Sequence, residues 1–289
     1  MPRDRPPEDD VASLHDRLEP APPEDPSAAR ARRRSRLLRR GLLITALVAG
    51  LAGGALFVNL RSKATPVSVE DSVDRFRDAS GDAPAVAGLA APGVYVYATS
   101  GGDAVTLLGG SRHDYPAETT LTVTPVACGA SMRWDLLGER WEEWTICLDE
   151  GRRLIRSIAS YHRFFGRSDL REYVCGAESL FHPPRPLRQR TWASVCRGSG
   201  TEATASGSVT GVEYLSVRGT RVRTFHLRIV TTFEGDTRGT RETEIWLAAD
   251  TGLPILTVQS DDLDTNTPLG DTHYVEELRL ELRSLQPRT

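Results

Sequence analysis

The densest group of residues that could do chemistry lies between positions 134 and 144: Trp134, Trp141, Glu142, Glu143 and Trp144. Paired carboxylates beside aromatic rings are what a glycosidase uses, because the rings stack on sugars and one acid protonates the leaving oxygen. Glu142 and Glu143 are adjacent on a predicted strand, so their side chains project to opposite faces and cannot flank one bond. The pattern therefore favours tryptophans packed in or across a β-hairpin over a catalytic pair.

The histidines give no catalytic or metal-binding pattern. Five of them lie far apart, with no H-x-x-H or H-E-x-x-H spacing, and no G-x-S-x-G motif occurs. They are His113, His162, His182, His226 and His273. His226 shares a strand face with Arg228, which suggests a polar patch, and Phe164 and Phe165 are expected to anchor a strand end. The sequence thus predicts no catalytic residue, no cofactor and no metal ligand.

Four cysteines give the clearest chemical prediction: Cys128, Cys147, Cys175 and Cys196. All lie after the apolar segment described below, and an even number there favours two disulfides formed in an oxidising compartment. Order and spacing suggest Cys128–Cys147 and Cys175–Cys196, although four cysteines permit three connectivities. A four-thiolate zinc site would need close pairs such as C-x2-C, and none occurs.

Hairpin geometry supports the first cysteine pair. A turn at Leu137-Gly138 places Cys128 directly opposite Cys147, within bonding distance if the pair is not hydrogen-bonded, and a bulge would alter this register. The second pair encloses a proline-rich segment with little predicted regular structure. A cross-link there contributes about 3 kcal/mol by restricting the unfolded chain.

From Gly93 the apolar residues recur with a period of two, which predicts β-strands. Residues 94–97 form the first strand, followed by a turn at 100–103 and a return strand at 105–108. Further strands are predicted at 119–126, 132–136, 140–148, 153–160, 203–214, 222–233, 240–248, 255–260 and 273–285. No long amphipathic helix is predicted after residue 92, so the economical architecture is an antiparallel meander.

The last predicted strand indicates which side chains lie on each face of the sheet. Leu278, Leu280 and Leu282 alternate with charged residues, so one face is apolar and the other polar. Such a sheet must curl on itself, pack on a second sheet or cover the apolar face in another way. We therefore predict an all-β domain at 93–289, built as a curved antiparallel sheet in the form of a half-barrel or a sandwich-like meander.

The first fifth of the chain predicts a membrane anchor. Residues 41–60 carry no charge, and about 20 residues at 1.5 Å each span the roughly 30 Å hydrocarbon core. Arginines are concentrated between residues 30 and 40, against only Arg61 and Lys63 after the span. The positive-inside rule then places the N-terminus in the cytosol and the C-terminal domain outside the plasma membrane.

Three other sorting signals are alternatives to a single-pass anchor. A cleaved signal peptide has a shorter apolar stretch and a shorter n-region. A lipoprotein anchor needs a cysteine just after the apolar run, and none is there. A twin-arginine signal begins with a pair such as Arg33-Arg34, but Arg36 stands where that pattern has an apolar residue.

The segments around the span have distinct compositions. Residues 1–40 are rich in Pro, Asp, Glu and Ala and predict a disordered cytosolic arm with an Arg-rich end. Residues 61–92 predict a juxtamembrane helix and a linker. Ser68 to Asp71 form a capping box, and Val69, Val73 and Phe76 share one face of a helix that ends at about Asp78. Residues 81–92 are rich in Gly, Ala and Pro, as linkers are.

The balance of acidic and basic residues indicates whether a nucleic acid is an expected partner. The chain has 36 Lys and Arg and 39 Asp and Glu. Residues 1–40 contain 10 of the basic and 8 of the acidic residues, which leaves 26 basic and 31 acidic residues in the rest of the chain. This mildly acidic domain disfavours a nucleic-acid partner.

Residues 244–254 (EIWLAADTGLP) resemble the late hairpin of envelope lipid carriers of the LolA and mycobacterial LppX/LprG type. The resemblance implies a curved antiparallel sheet whose concave apolar face holds acyl chains. This chain differs in its predicted transmembrane anchor, which replaces a lipidated cysteine, and in its two predicted disulfides. The whole chain also resembles uncharacterised membrane-anchored ectodomains of actinobacterial envelopes, a resemblance that implies no function.

Three functions follow as hypotheses. A non-catalytic, anchored envelope protein for protein interaction or assembly predicts a filled core. A carrier or binder of lipid or another apolar envelope molecule predicts a cavity on the order of several hundred Å³. A cell-wall hydrolase predicts a cleft with converging carboxylates or a triad. The expected partners are the membrane, which the chain spans once, and an envelope protein or a lipid.

Overall fold

The computed structural model describes residues 64–80, 86–106, 110–182, 190–267 and 270–289, all of which belong to the unit Val58–Thr289. The predicted arm at 1–40 and the predicted span at 41–60 lie outside these residues. Within the described ranges, no helix combines the length and the apolar character needed to cross a membrane.

The described residues form one helix and fourteen strands. Helix α1 is Val69–Ser80. The strands are β1 (Gly93–Val105), β2 (Ser111–Asp114), β3 (Glu118–Val126), β4 (Gly129–Leu137), β5 (Arg140–Asp149), β6 (Arg152–Phe164), β7 (Arg167–Cys175), β8 (Leu180–His182), β9 (Thr191–Gly198), β10 (Thr201–Val217), β11 (Thr220–Gly235), β12 (Thr237–Ala248), β13 (Pro254–Thr267) and β14 (Gly270–Leu282).

Twelve of these strands form a closed antiparallel barrel. Neighbours follow the order β1, β3, β4, β5, β6, β7, β9, β10, β11, β12, β13, β14, and β14 then returns to β1. The closing ladder is long, since it runs from Tyr97 opposite Leu282 to Val105 opposite Tyr274. β2 pairs with the end of β1, and β8 pairs with β6. The all-β antiparallel prediction is confirmed, but the sheet closes on itself and is neither a half-barrel nor a sandwich-like meander.

β1 continues through the residues predicted to turn. Gly101 and Gly102 lie where β1 is paired with β14 on one side and β2 on the other. A Cβ on Gly101 would overlap the carbonyl oxygen of Glu277, and one on Gly102 would overlap that of His113. These glycines therefore allow three backbones to approach closely, as glycine in a strand often does. The predicted turn at 100–103 is wrong, and the next strand begins at Ser111.

β7 and β9 are absent from the sequence prediction, and they complete the ring between β6 and β10. Polar and charged residues begin β7, and β9 follows the proline-rich segment, so neither shows a long period-two pattern. Their shared ladder consists of two residue pairs, Val174 with Arg197 and Cys175 with Cys196. We call this short ladder the β7–β9 seam.

Helix α1 packs on the outer face of β1 and β3. The backbone N–H of Asp71 donates to Ser68 Oγ at 3.0 Å, which confirms the predicted cap. Val73 and Phe76 are buried against Val94, which confirms the predicted helical face. The helix runs two residues beyond the predicted end. In the described part of the predicted linker, residues 86–92, Leu89 is buried in the main core.

The inward face of β14 matches the prediction, because Leu278, Leu280 and Leu282 are all buried and their neighbours are exposed. The largest apolar cluster extends from β3 and β4, where Leu121 and Met132 are fully buried, to β11 and β12, where Leu227 and Leu247 are fully buried. The β6–β7 and β9–β10 hairpins turn at one end of the barrel, which we call the upper end. The β10–β11 and β12–β13 connections lie at the lower end.

Candidate functional site

The barrel contains a cavity of about 500 Å³ on the side away from β3 and β4. Aromatic and aliphatic side chains line much of it: Trp144, Ile155, Ile158, Phe181, Trp192, Ile229, Ile245 and Leu247. The volume lies within the range of about 300–1,000 Å³ typical of pockets for small molecules. The cavity therefore occupies part of the interior, and the rest is filled by the main apolar cluster.

The cavity reaches the surface at the β6–β7 hairpin. Arg167, Ser168 and Asp169 line it there and are exposed. The guanidinium of Arg171 donates to Asp169 at 2.8 Å and also to the hydroxyl of Thr237. Because Arg171 is on β7 and Thr237 on β12, this side chain reaches across the barrel near the opening.

Two arginines and three carboxylates meet inside the barrel. Arg140 Nη2 on β5 lies 3.0 Å from Glu276 Oε2 on β14. Arg241 on β12 lies 3.0 Å from Glu142 on β5 and 2.8 Å from Asp261 on β13. β5 and β12 are six positions apart in the ring of twelve, so the Glu142–Arg241 pair joins opposite walls. We call these five side chains the ion network.

The carboxylate oxygens of the ion network are all hydrogen-bonded. Glu142 accepts from Trp144 Nε1 at 2.7 Å as well as from both arginines. Glu276 accepts from Gln259 Nε2 at 3.1 Å and from the hydroxyl of Tyr115. Buried charges persist only when they are paired and satisfied in this way. With every oxygen engaged, the network is better suited to bracing the barrel than to proton transfer.

Burial and neighbouring charges act in opposite directions on these carboxyl groups. Burial alone would raise the pKa of Glu142, but Arg241 and Arg140 outweigh it and hold the pKa below its ordinary value. Arg140 has the same effect on the pKa of Glu276. At Asp261 burial prevails over Arg241 and, with Glu276 adding to it, raises the pKa to about 6. Asp261 is therefore the member that takes up a proton closest to neutral pH.

His162 adds a neutral polar group to the cavity wall. Burial, followed by the charge of Arg140, holds its pKa well below the ordinary histidine value. Its Nε2 lies 3.2 Å from the hydroxyl of Tyr274, which also lines the cavity. This imidazole can donate or accept a hydrogen bond without carrying a charge.

Three buried hydroxyls on the cavity wall have no hydrogen-bond partner among the described residues: Ser179, Ser194 and Thr272. Ser179 is 2% exposed, and Ser194 and Thr272 are each 8% exposed. An unpaired buried polar group costs about 1–3 kcal/mol. Each hydroxyl oxygen is covered by its neighbours, so the cost is borne by the folded barrel.

The predicted aromatic and acidic group is divided between the two faces of the sheet. Glu142 and Trp144 point into the barrel, whereas Glu143 accepts a hydrogen bond from Ser131 and Trp141 stacks on Tyr161 with ring centroids 5.4 Å apart. The prediction that the two glutamates face opposite ways is confirmed. The sequence analysis did not identify Glu142 as a member of a buried network.

The prediction of two disulfides is confirmed, with Cys128 joined to Cys147 and Cys175 to Cys196. The predicted register of the first hairpin is wrong, because Cys147 lies opposite Gly129 and Cys128 precedes β4. The hairpin turns at Gly138-Glu139, because Leu137 pairs with Arg140, and not at Leu137-Gly138 as predicted. A bulge between Asp135 and Leu137 then changes the register of the rest of the ladder by one residue. The second disulfide lies in the β7–β9 seam, and Cys196 lines the cavity.

The histidines whose side chains are described do not converge. His113 pairs with Asp103 at 2.8 Å in a fully buried site, and His273 lies near Asp264 on the surface. His226 lies between Glu213 and Glu244 on the outer face and stacks on Trp246, in line with the predicted polar patch. Among the described residues, no group of three or more His, Cys, Asp or Glu is arranged to hold a metal ion.

Comparison with known proteins adds little to this site. No protein-family model and no curated protein matches the chain. Among solved structures, the crystal structure of the hypothetical lipoprotein YmcC from Escherichia coli (K12) is similar at 12% identity, with a TM-score of 0.29. The match covers 74% of this chain and 97% of that one. A similarity with so low a TM-score is no basis for inferring fold or function.

Proposed function

We propose that the barrel binds a lipid or another apolar or amphiphilic small molecule in its interior. The observation that supports this proposal is the cavity of about 500 Å³ with its aromatic and aliphatic walls. Removing apolar surface from water stabilises a complex by about 25 cal/mol per Å², so an acyl chain or ring system suits these walls. The assembly hypothesis requires a filled core, and a cavity of this size in the interior does not fit it.

The hydrolase hypothesis draws no support from the ion network. Its carboxylates converge, but each oxygen already accepts a hydrogen bond. A glycosidase acid must instead be free to protonate a leaving oxygen. The proposed function is therefore a non-catalytic one.

Two neighbouring positions on β10 provide a test with a matched control. Ala205 lines the cavity, whereas Ser206 is exposed on the opposite face. Ala205→Trp should fill the cavity and weaken binding of the neutral apolar probe N-phenyl-1-naphthylamine at least tenfold. Ser206→Trp should bind it as the wild type does. Binding is measured by probe fluorescence, and folding by circular dichroism.

Native mass spectrometry of the purified protein provides a second measurement. The wild type and Ser206→Trp should carry co-purifying lipid, and Ala205→Trp should carry less. If folded Ala205→Trp binds the probe and retains lipid like the wild type, the cavity is not the binding site and the proposal fails.

We further propose that the chain is a cell-envelope protein whose residues 41–60 span the plasma membrane, with the N-terminus in the cytosol and the barrel outside. The two disulfides support an oxidising compartment for the barrel, and the arginines before residue 41 support the orientation. Protease added to intact spheroplasts should digest the barrel and spare the arm. Protection of the barrel, or free thiols in the native protein, would contradict this placement.

A further inference from the structure

Resting on the binding function and the membrane placement proposed above, we infer that the opening of the cavity faces the outer surface of the plasma membrane and that the ligand enters the barrel from that bilayer. The first argument is where the chain joins the barrel. Thr65 donates to the Glu139 carboxylate through its hydroxyl at 2.7 Å and its N–H at 2.9 Å. Its carbonyl oxygen accepts from the N–H of Gly138 at 2.8 Å. Thr65 is therefore tied to the β4–β5 turn.

The opening of the cavity lies at the same end of the barrel as this turn. β4 and β6 run in the same direction, because each pairs antiparallel with β5, so the β4–β5 and β6–β7 turns are both at the upper end. The N–H of Arg163 donates to the carbonyl oxygen of Glu139 at 2.9 Å. Gly166 in the β6–β7 turn is three residues further on, which is about 10 Å of strand. The opening and Thr65 thus lie on adjacent hairpins.

Helix α1 leads away from the upper end. Ser72 hydrogen-bonds to Thr120 at 2.8 Å. Phe76, one turn later, is buried with Val94, which lies two residues nearer the start of β1 than the partner of Thr120 does. Because β1 begins at the lower end, the chain arrives at the upper end and then descends along the outer wall.

The connection from the proposed span is too short to reach the membrane from the lower end. Leu60 and Thr65 are five residues apart, and a fully extended chain covers at most about 18 Å in five residues. The barrel is taller, since β12 has 12 residues and a strand of that length, tilted as barrel strands are, rises roughly 30 Å along the axis. The upper end, with the opening, is therefore the end nearer the bilayer.

Charge at the upper end has a matching asymmetry. On the β6–β7 hairpin, residues 163–171 carry three arginines and one aspartate, whereas residues 234–238 around the β11–β12 turn carry two acids and one arginine. The β11–β12 turn lies opposite the β4–β5 turn in the ring of twelve strands. Anionic lipid head groups attract the basic hairpin and repel the acidic one. The side of the rim that is tied to Thr65, and that holds the opening, is thus the side suited to the lipid surface.

Two cysteine variants of the full chain test which end meets the bilayer. Ser168 lies at the opening and Ser216 is exposed near the β10–β11 turn at the lower end, and the four native cysteines are paired. Ser168→Cys and Ser216→Cys are each labelled with bimane. The labelled chains are reconstituted in phosphatidylcholine–phosphatidylglycerol vesicles that contain a lipid with a nitroxide on its head group. The nitroxide should quench bimane at position 168 several-fold more strongly than at position 216.

A longer connection provides the control for this orientation. A Gly/Ser insertion of about 20 residues after Lys63 adds roughly 25 Å of r.m.s. reach, so it should reduce the difference in quenching between the two positions. The same insertion within residues 1–29 should leave the difference unchanged, because it does not lie between the span and the barrel.

A photoreactive lipid tests entry from the bilayer. Phosphatidylcholine with a diazirine at the end of one acyl chain is added to the same vesicles, and adducts formed on illumination are mapped by mass spectrometry. Adducts should lie on cavity-lining residues of β6 to β12. They should be lost in Ala205→Trp, which fills the cavity, and kept in Ser206→Trp on the outer face.

The outcomes separate this inference from the two proposals on which it rests. Equal quenching at the two positions, or stronger quenching at 216, overturns the inference and leaves the binding function intact. Strong quenching at 168 without adducts in the cavity also overturns it, because the ligand then does not enter from the bilayer. A full chain that does not float with the vesicles contradicts the membrane placement and this inference together. If N-phenyl-1-naphthylamine does not bind the folded barrel, the binding function itself fails.

Discussion

At the scale of single residues, Arg241 stabilises the barrel through its two carboxylate partners. Arg241→Met should lower the free energy of unfolding by about 3–5 kcal/mol, because it leaves Asp261 and Glu142 buried without their cation. Urea denaturation followed by tryptophan fluorescence measures the loss.

The control for this variant is an exposed pair on neighbouring strands. Arg228 and Glu242 are 3.2 Å apart, but their side chains are 55% and 56% exposed. Arg228→Met should therefore cost less than about 1 kcal/mol. Equal losses for the two arginines would show that burial of the network contributes nothing.

Asp261 links the stability of the barrel to pH. Its pKa in the folded state is raised to about 6, so the folded protein binds this proton more tightly than the unfolded chain does. The contribution to the free energy of unfolding is fully present below the ordinary aspartate pKa of about 4 and is lost as pH rises through about 6. A shift of two pKa units corresponds to about 3 kcal/mol.

Asp261→Asn tests this linkage, because an amide does not titrate. On acidification from about pH 7 to about pH 5 the wild type should gain stability relative to the variant, whereas His162, whose pKa is held well below the ordinary histidine value, lowers the stability of both proteins. Glu142 and Glu276 act in the opposite sense and at lower pH, because their pKa values are lowered. A difference in stability between the two proteins that stays constant across this interval would contradict the assignment.

Some members of the ion network could have been predicted from the sequence, because inward and outward side chains alternate along each strand. Glu276 has the same parity as Leu278 and Leu280, and Glu142 has that of Trp144. What the sequence could not supply is the partner, because Arg241 and Glu142 are about one hundred residues apart. A charge on an apolar face remains ambiguous until the fold shows what pairs with it.

At the scale of elements, the β7–β9 seam depends on its disulfide. Replacing Cys175 and Cys196 by serine should lower the free energy of unfolding by about 3 kcal/mol. It should also speed amide hydrogen exchange in β7 and β9, because the ladder between these strands is short. Hydrogen exchange with mass spectrometry reports both strands.

The other disulfide is a matched control for the seam. Cys128 and Cys147 are separated by 19 residues and Cys175 and Cys196 by 21, so the entropic contributions are nearly equal. The Cys128/Cys147 double serine variant should lose similar stability without faster exchange at the seam. Identical exchange in both variants would mean that the seam is held by other contacts.

Element prediction succeeded where alternation was regular and failed where glycine or charge interrupted it. The run from Leu278 to Leu282 predicted its face correctly. The Gly101-Gly102 pair suggested a turn, because glycine in a turn and glycine in a close backbone approach look alike in a sequence. β7 carries few apolar residues, so only its position between β6 and β9 identifies it as a strand.

At the scale of the whole molecule, closure of the ring depends on Gly101. Its φ of +115° and its contact with the backbone of β14 both exclude a side chain. Gly101→Ala should abolish closure and leave a protein with reduced stability and no bound probe, as measured by thermal unfolding and N-phenyl-1-naphthylamine fluorescence.

Gly270 is the matched control, because its φ is +112° and a Cβ there would meet no described atom within 4 Å. Gly270→Ala should lose stability through backbone strain alone and should still bind the probe. If both variants bind the probe, the β1–β14 ladder tolerates the extra atom and closure does not depend on this glycine.

The sequence predicted an antiparallel sheet with one apolar face, but it did not predict how that face is covered. The alternation required that face to be covered, and closure, packing on a second sheet and curvature around a ligand all satisfy this requirement. The choice between them rests on pairing of the first strand with the last, which no local pattern encodes. The cavity was likewise beyond prediction, because it depends on which inward side chains are short.

Pairing of β1 with β14 also has a consequence for the time course of folding. Residues near Tyr97 find their partners near Leu282, so the contacts that complete the barrel are among the most distant in the chain, and topologies of this kind fold slowly. Until β14 arrives, the walls of the cavity are exposed to solvent. A nascent chain would thus present its most aggregation-prone surface longest, and early formation of the disulfides would shorten that interval.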